Sequence, residues 1–193
     1  IKLKWILISI IGSVIAALVV QGGIAMKSLE KIRANSTQIS TVWMPSVRSL
    51  GEIKFTLTNL RLVDARYVMG RDSAASLETL NAAREKAVET ALKAHQSYIA
   101  APEERLIAED IAKRYAAYDE VRGGFLASFR AGDQSAMVDA FEMTRPAYME
   151  LMKVIDDDVA YNDHGAAAAE AASKIDYANA FWLTVAVGGV SLL

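Results

Sequence analysis

Residues 50–73, LGEIKFTLTNLRLVDARYVMGRDS, contain the clearest signal for the fold of this chain. An apolar residue recurs in it every three or four positions, as on one face of an α-helix. The members of this seam are Leu50, Ile53, Leu57 and Leu60. Asp64 interrupts the seam, and Gly70 and Ser73 follow it. A glycine that ends one helix and a serine that caps the next predict a tight reversal between two helices.

The rest of the segment up to residue 176 repeats this design, with few prolines and no alternating strand pattern. Pro102 suits the first turn of a helix, and Gly132 with Asp133 repeats the glycine-then-cap signal. We predict helices over residues 36–69, 73–99 and 102–130, and a fourth from residue 133 onward. Because short connections make neighbouring helices antiparallel, the sequence predicts an all-α, antiparallel up-down-up-down four-helix bundle.

Each of the other three predicted helices carries its own apolar seam. The seam residues are Leu77, Leu80, Ala87 and Ala91, then Ile107, Ile111, Val121 and Phe125, and finally Phe141, Met152 and Ile155. The consecutive acids Asp156, Asp157 and Asp158 point in different directions around a helix. We interpret all three as part of a solvated helix face.

Two uncharged stretches flank the bundle and predict membrane spans. Residues 5–26 contain no charge, and 22 residues of helix reach about 33 Å, enough to cross a hydrocarbon core. A signal peptide is the alternative, although its apolar core is normally shorter. Residues 177–193 are also uncharged, with Tyr177 and Trp182 near their start as in an interfacial aromatic belt. We predict that they begin a second span that is truncated.

Residues 27–176 therefore lie on one side of the membrane. Lys2 and Lys4 favour a cytoplasmic start and hence a periplasmic domain, whereas Lys27, Lys31 and Arg33 beyond the first span weaken that signal. The net charge of −2 does not favour nucleic acid as a partner. The sequence has no cysteine, which excludes a disulfide framework and a thiolate metal site.

Polar side chains continue the seams at positions where a hydrophobic core would reject them. They are Asp64, Arg84, Arg114, Tyr118, Arg145 and Tyr148. The turns at residues 70–73 and 131–133 lie at the same end of the predicted bundle, which we call its tip. Counting residues from these turns at 1.5 Å each places four arginines at one level, about 13–20 Å below the tip: Arg61, Arg84, Arg122 and Arg145. Four arginines with one nearby carboxylate leave a surplus of positive charge, which a small carboxylate ligand would satisfy in bidentate geometry.

The predicted ligand-binding residues are Arg61, Arg84, Arg114, Tyr118, Arg122, Arg145 and Tyr148. A purely structural alternative pairs Asp64 with Arg114 or Arg145. Arg61, Arg66, Arg84 and Arg122 would then extend outward from the helix edges into solvent. Gly123 and Gly124, beside Arg122, indicate either a structural feature, close packing or a local bulge, or backbone exposed at a pocket wall.

The sequence shows no catalytic or cofactor-binding machinery. His95 and His164 are the two histidines, and neither has a second ligand at helical metal spacing. The sequence predicts no β-strand, and hence no phosphate-binding loop of the kind that follows a strand. We predict no enzyme activity, no cofactor and no metal site.

Several short motifs resemble the four-helix-bundle sensor module of methyl-accepting chemotaxis proteins. They are Trp43-Met44-Pro45, Asn59 with Arg61, Arg66-Tyr67, Ala131-Gly132-Asp133 and Asn162. The resemblance implies a dimeric, nonenzymatic receptor in the bacterial inner membrane whose periplasmic helices bind amino acids or organic acids. It also implies that displacement of the last helix signals through the second span to a HAMP linker and a cytoplasmic kinase complex. The same module occurs on histidine kinases and cyclases.

Two hypotheses of different classes follow. The first is a transmembrane chemoreceptor for a small carboxylate. The second is a membrane-anchored interaction or dimerisation module without a small ligand.

Overall fold

The computed structural model describes residues 2–99 and 101–190, and helices form all of the regular structure in them. The elements are α1 (Lys2–Gln38), a π-helical run (Ile39–Trp43), α2 (Met44–Met69), α3 (Ala74–His95), α4 (Pro102–Arg130) and α5 (Gln134–Val190). The prediction of an all-α chain with four bundle helices is confirmed, and α2 to α5 are those helices.

The chain divides into two compact units. Residues 42–164 form one unit, which contains α2, α3, α4 and the first part of α5. Residues up to Thr41 and residues from Gly165 onward form the other, which contains α1 and the last part of α5.

The two predicted glycine turns are present. Gly70 has φ of 62°, in the left-handed region, and its N–H donates to the carbonyls of Arg66 and Tyr67. The Ser73 hydroxyl then accepts from the N–H of Ser76 at 3.3 Å. Gly132 has φ of 73°, and the carboxylate of Asp133 caps α5. Since glycine adopts this backbone conformation without a side-chain clash, these two positions fix both reversals.

The predicted end of the second bundle helix at residue 99 is wrong, because α3 ends at His95. The N–H groups of Ser97 and Tyr98 donate to carbonyls only three residues back, which tightens the chain into turns. The Ser97 hydroxyl donates to the carbonyl of Ala94 and competes with continued helix. Ala100, also part of the prediction for this connection, lies outside the described residues.

The core of the 42–164 unit consists of two hydrophobic clusters. The larger contains the α2 seam together with Val88, Ala91, Ile111, Tyr118, Leu151, Val154 and Ile155. The smaller contains Val63, Tyr67, Leu77, Phe125, Leu126 and Met137. The predicted core position Val121 is wrong, since its side chain is 39% exposed. On α4 the buried series passes instead through Ile111, Tyr118, Arg122 and Phe125.

A π-helical run, Ile39–Trp43, precedes α2. Pro45 stands in the first turn of α2 and has no N–H, so the carbonyl four residues back cannot receive its usual bond. Wider π-type bonding is a known response to such an interruption of the helical ladder. The run therefore follows from the Trp43-Met44-Pro45 motif.

The other unit contains the predicted membrane spans. Among the described residues, the helical stretch that begins at Leu3 is the one long and apolar enough to cross a membrane, and its most apolar window is not buried. A buried core helix would not expose such a window, whereas a signal sequence also fits this finding. The described part of residues 177–193 does not pass the same test, and residues 191–193 lie outside the described chain. The second span therefore stays a prediction.

Candidate functional site

A buried ion pair joins α2 to α4 between the two hydrophobic clusters. The Arg122 guanidinium donates from Nε and Nη2 to the Asp64 carboxylate at 2.8–3.0 Å, and both side chains are 0% exposed. Nη1 donates to Glu85 Oε1 at 2.5 Å, and Nη2 also donates to the amide oxygen of Asn81. The Tyr118 hydroxyl donates to Asp64 Oδ2 at 3.3 Å. We call these five residues the Arg122 cluster.

The electrostatics of the Arg122 cluster follow from burial and from the two acids. Burial raises the pKa of the Asp64 carboxyl, against the lowering effect of Arg122. Burial lowers the pKa of Arg122, but hydrogen bonds and charges of Asp64 and Glu85 outweigh it, so that pKa is raised overall. Burial and then the Asp64 charge raise the pKa of the Tyr118 hydroxyl. Arg122 therefore stays charged, and Asp64 is the member of the pair that would take up a proton.

Arg61 occupies a different environment, between α2 and α5. Its Nη1 donates to Thr144 Oγ1 at 2.8 Å. Its guanidinium carbon lies 4.8 Å from the ring centroid of Phe141 and 4.9 Å from that of Tyr148. No Asp or Glu within residues 2–99 and 101–190 forms an ion pair with it. We call Arg61, Phe141, Thr144 and Tyr148 the Arg61 group, which holds a half-buried cation by ring stacking and one hydroxyl.

The Arg61 group adjoins the Arg122 cluster through aromatic rings. The rings of Tyr118 and Tyr148 are 5.7 Å apart, and the Tyr148 hydroxyl lies 3.4 Å from that of Thr58. Four of the seven predicted site residues therefore come together in the fold: Arg61, Tyr118, Arg122 and Tyr148.

Within the described residues, no hydrogen bond, ion pair or ring contact joins the other three predicted residues to this group. Arg114 forms ion pairs with Asp110 at 3.4 Å and with Glu150 at 3.0 Å, at the surface. Arg84 is half-buried and Arg145 is exposed, and neither forms a hydrogen bond or ion pair within the described part of the chain. The structural alternative for Asp64 is wrong in its partners, because Asp64 pairs with Arg122 and not with Arg114 or Arg145. Arg122 also does not extend into solvent.

The sequence did not identify several residues that complete these sites. Asn81 follows the buried seam residue Leu77 by four positions, and Glu85 follows Asn81 by four, so helical spacing from Leu77 was a usable signal. Gly123 and Gly124 do not pack closely, because a Cβ added to either would have no heavy atom within 4 Å. Close packing therefore does not explain them.

A second buried polar group lies near the start of α2, and we call it the His95 cluster. Its members are Ser46, Ser49, His95, Glu104, Asp158 and Asn162. The Ser46 hydroxyl and the Asn162 amide donate to Glu104 Oε1 at 2.7 and 3.0 Å. His95 Nε2 lies 3.3 Å from Asp158 Oδ2, and its Nδ1 lies 2.6 Å from the Ser49 hydroxyl. Asp158 is fully buried, so its assignment to a solvated face is wrong.

A cavity of about 410 Å³ lies between the end of α3 and the start of α4. Its polar lining residues are His95, Gln96, Arg105 and Glu109. None of the seven predicted ligand-binding residues lines it. The cavity therefore adjoins the His95 cluster and not the Arg61 group.

Comparison with known proteins assigns the chain to a class. No curated protein and no solved structure matches it significantly. Residues 1–177 match the model of a family described as a four helix bundle sensory module for signal transduction. This match agrees with the four helices α2 to α5 and with the predicted resemblance. The chain belongs to this family of four-helix-bundle sensory modules.

Proposed function

We propose that the chain is the sensory part of a nonenzymatic transmembrane receptor that binds a small carboxylate, such as an organic acid or an amino acid. The proposal depends on the environment of Arg61. It is a half-buried guanidinium between two bundle helices, and no carboxylate in the described residues forms an ion pair with it, although its charge lowers the pKa of the nearby Asp64 carboxyl against the larger effect of burial. Membership of a sensory-module family supports a receptor role.

The chemistry of the Arg61 group suits a carboxylate. A guanidinium presents parallel N–H donors that match the two oxygens of a carboxylate, and one donor of Arg61 is bound to Thr144. The neighbouring Tyr148 hydroxyl can donate to the same ligand, whereas the Thr58 hydroxyl beside it already donates to the carbonyl of Lys54. Arg84 and Arg145 add positive charge that the described acids do not pair. Ring stacking fixes the Arg61 plane before the ligand arrives, which lowers the entropic cost of binding.

Arg122 has a different role in this proposal from that predicted. All three of its guanidinium nitrogens already donate to Asp64, Glu85 or Asn81. We therefore assign Arg122 and Tyr118 to positioning, since they hold α2, α3 and α4 together beside the ligand. Arg114, with two acidic partners, is not needed for binding.

Signalling in this proposal uses α5, which carries Thr144 and Tyr148 and continues unbroken to Val190. A carboxylate bound between Arg61 and these residues stabilises one position of α5 relative to α2. The shift is limited by the difference in ligand affinity between the two positions. The displacement would reach the predicted second span and a cytoplasmic kinase complex, with the sensory unit in the periplasm and the spans in the bacterial inner membrane.

Thermal-shift screening of the full chain in detergent against organic acids and amino acids tests the proposal. We expect at least one carboxylate to raise the melting temperature, because a ligand that binds only the folded state stabilises it. Arg61→Gln should abolish the shift and Arg114→Gln should retain it. The absence of a shift with every carboxylate, or an undiminished shift in Arg61→Gln, would show that the Arg61 group is structural.

A second candidate function, dimerisation, rests on one face of α2. Phe55, Leu62 and Met69 are 62%, 59% and 66% exposed and recur every seven residues. An exposed apolar heptad stripe is typical of a helix that pairs with another helix. We propose that α2 pairs with α2 of a second copy in a homodimer. Glutamate at both Phe55 and Leu62 should give monomers in analytical ultracentrifugation, whereas glutamate at the exposed Met143 of α5 should not.

A further inference from the structure

We propose that His95, Glu104 and Asp158 bind a divalent transition-metal cation such as Zn²⁺. One residue comes from each of α3, α4 and α5, and their ligand atoms all lie within 4.8 Å of one another. The three side chains are 3%, 0% and 0% exposed. An imidazole nitrogen and two carboxylate oxygens are ligands of the type that Zn²⁺ takes in proteins.

The separation of His95 from Asp158 suits ligands of one ion. Zinc–ligand bonds of about 2.1 Å in tetrahedral geometry place neighbouring ligand atoms about 3.4 Å apart. His95 Nε2 and Asp158 Oδ2 lie 3.3 Å apart, close to that edge length. The Ser49 hydroxyl lies 2.6 Å from His95 Nδ1, so it holds the ring and leaves Nε2 facing the carboxylates. A metal-bound histidine normally has such a partner on its other nitrogen.

Asn162 provides an independent indication of a ligand. It is 0% exposed, and its Oδ1 is a buried acceptor without a hydrogen-bond partner. Its Nδ2 donates to Glu104 Oε1, to Asp158 Oδ1 and to the Asp158 carbonyl, all at 3.0 Å, so the amide lies against both carboxylates. A half-turn of the amide would direct Oδ1 to where Nδ2 now lies. A cation there would gain a fourth ligand and satisfy the buried acceptor, in exchange for the hydrogen bonds that Nδ2 now donates.

The neighbouring cavity gives the cation a route. It is about 410 Å³, and His95 is among its lining residues. A cation bound to the His95 cluster would tie α5 to both α3 and α4. Because no residue is shared with the Arg61 group, this proposal and that of carboxylate binding can fail separately.

Isothermal titration of the full chain with Zn²⁺ tests the site, using protein purified without a polyhistidine tag and stripped of metal by a chelator. We expect one Zn²⁺ per chain, and at least about tenfold weaker binding in His95→Gln and in Asp158→Asn. His164→Gln is the matched control, because this second histidine is exposed on α5, and its affinity should equal that of the wild type.

Zinc-edge X-ray absorption on the zinc-loaded wild type identifies the ligands directly, so this measurement does not depend on whether the variants fold. We expect one imidazole and otherwise oxygen ligands. Absence of Zn²⁺ binding, wild-type affinity in folded His95→Gln and Asp158→Asn, an equal loss in His164→Gln, or a spectrum without imidazole would each overturn the proposal.

Discussion

Replacing Asp64 with alanine should destabilise the bundle strongly. The substitution removes the carboxylate that accepts from Nε and Nη2 of Arg122 and from the Tyr118 hydroxyl. Arg122 is 0% exposed, so water cannot take the place of the lost acceptor. Removing one partner of a buried ion pair costs about 3–5 kcal/mol of unfolding free energy. For a unit of this size, that corresponds to a melting temperature about 10–20 °C lower.

The assay is thermal unfolding of the full chain followed by circular dichroism, with Glu78→Ala as the matched control. Glu78 pairs with Arg130, another α4 arginine, but those side chains are 38% and 58% exposed. Loss of an exposed pair costs about 1 kcal/mol or less. The double variant Asp64→Leu/Arg122→Met should recover most of the loss, because apolar side chains often replace a buried pair without cost. If Asp64→Ala is no more destabilised than Glu78→Ala, the buried ion pair of the Arg122 cluster does not stabilise the bundle more than an exposed pair does.

Other substitutions test single features of the bundle. Alanine at Gly123 or Gly124 should stabilise by about 0.5–1 kcal/mol in thermal unfolding, since both lie inside α4 with open space around them; destabilisation would contradict this. Tyr67→Phe should leave the free energy of unfolding unchanged or raise it, because the Tyr67 hydroxyl is buried without a partner. Tyr118→Phe should lower it by about 1 kcal/mol, because the Tyr118 hydroxyl donates to Asp64. Equal losses would contradict the hydrogen-bond assignments. Burial raises the pKa of the Tyr67 hydroxyl from about 10 to about 12. Because this hydroxyl ionises at lower pH in the unfolded chain, the free energy of unfolding should fall as the pH rises from about 10 to about 12. Burial also raises the pKa values of Tyr115 and Tyr118, so absorbance at 295 nm should show the late titration reduced by one tyrosine in Tyr67→Phe; an unchanged late titration would refute the assignment. Ser73→Ala should cost about 1 kcal/mol as α3 loses its cap, and an unchanged melting temperature would count against that cap.

The fold was accessible from the sequence because its main signals are local. Gly70 and Gly132 mark reversals that only a few residue types permit, and both turns are where the sequence predicted them. The α2 seam is fully buried as predicted. The end of α3 was missed because Ser97 and its neighbours form tight turns that an apolar pattern does not reveal.

The candidate site was less accessible, because it depends on which adjacent residue of a seam faces inward. Val121 and Arg122 differ by about 100° around α4, and periodicity together with hydrophobicity favoured the valine. The fold buries the arginine, since Asp64, Asn81 and Glu85 on other helices supply its acceptors. Such partners 37–58 positions away cannot be identified from the spacing within one helix.

The His95 cluster shows the same limit. His95 and Asp158 are 63 positions apart, and neither has another histidine or acid at helical spacing in its own helix. The three consecutive acids from Asp156 to Asp158 looked equivalent in the sequence. Two of them form ion pairs with lysines at the surface, while Asp158 faces the interior.

A crystal structure of the full chain, grown with the carboxylate that gives the largest thermal shift, would locate the ligand. We expect both carboxylate oxygens to bind the Arg61 guanidinium, between α2 and α5 and beside Tyr148, with the Arg122–Asp64 pair intact. A carboxylate bound instead in the cavity beside Arg105, or one that leaves Arg61 without contact, would contradict it.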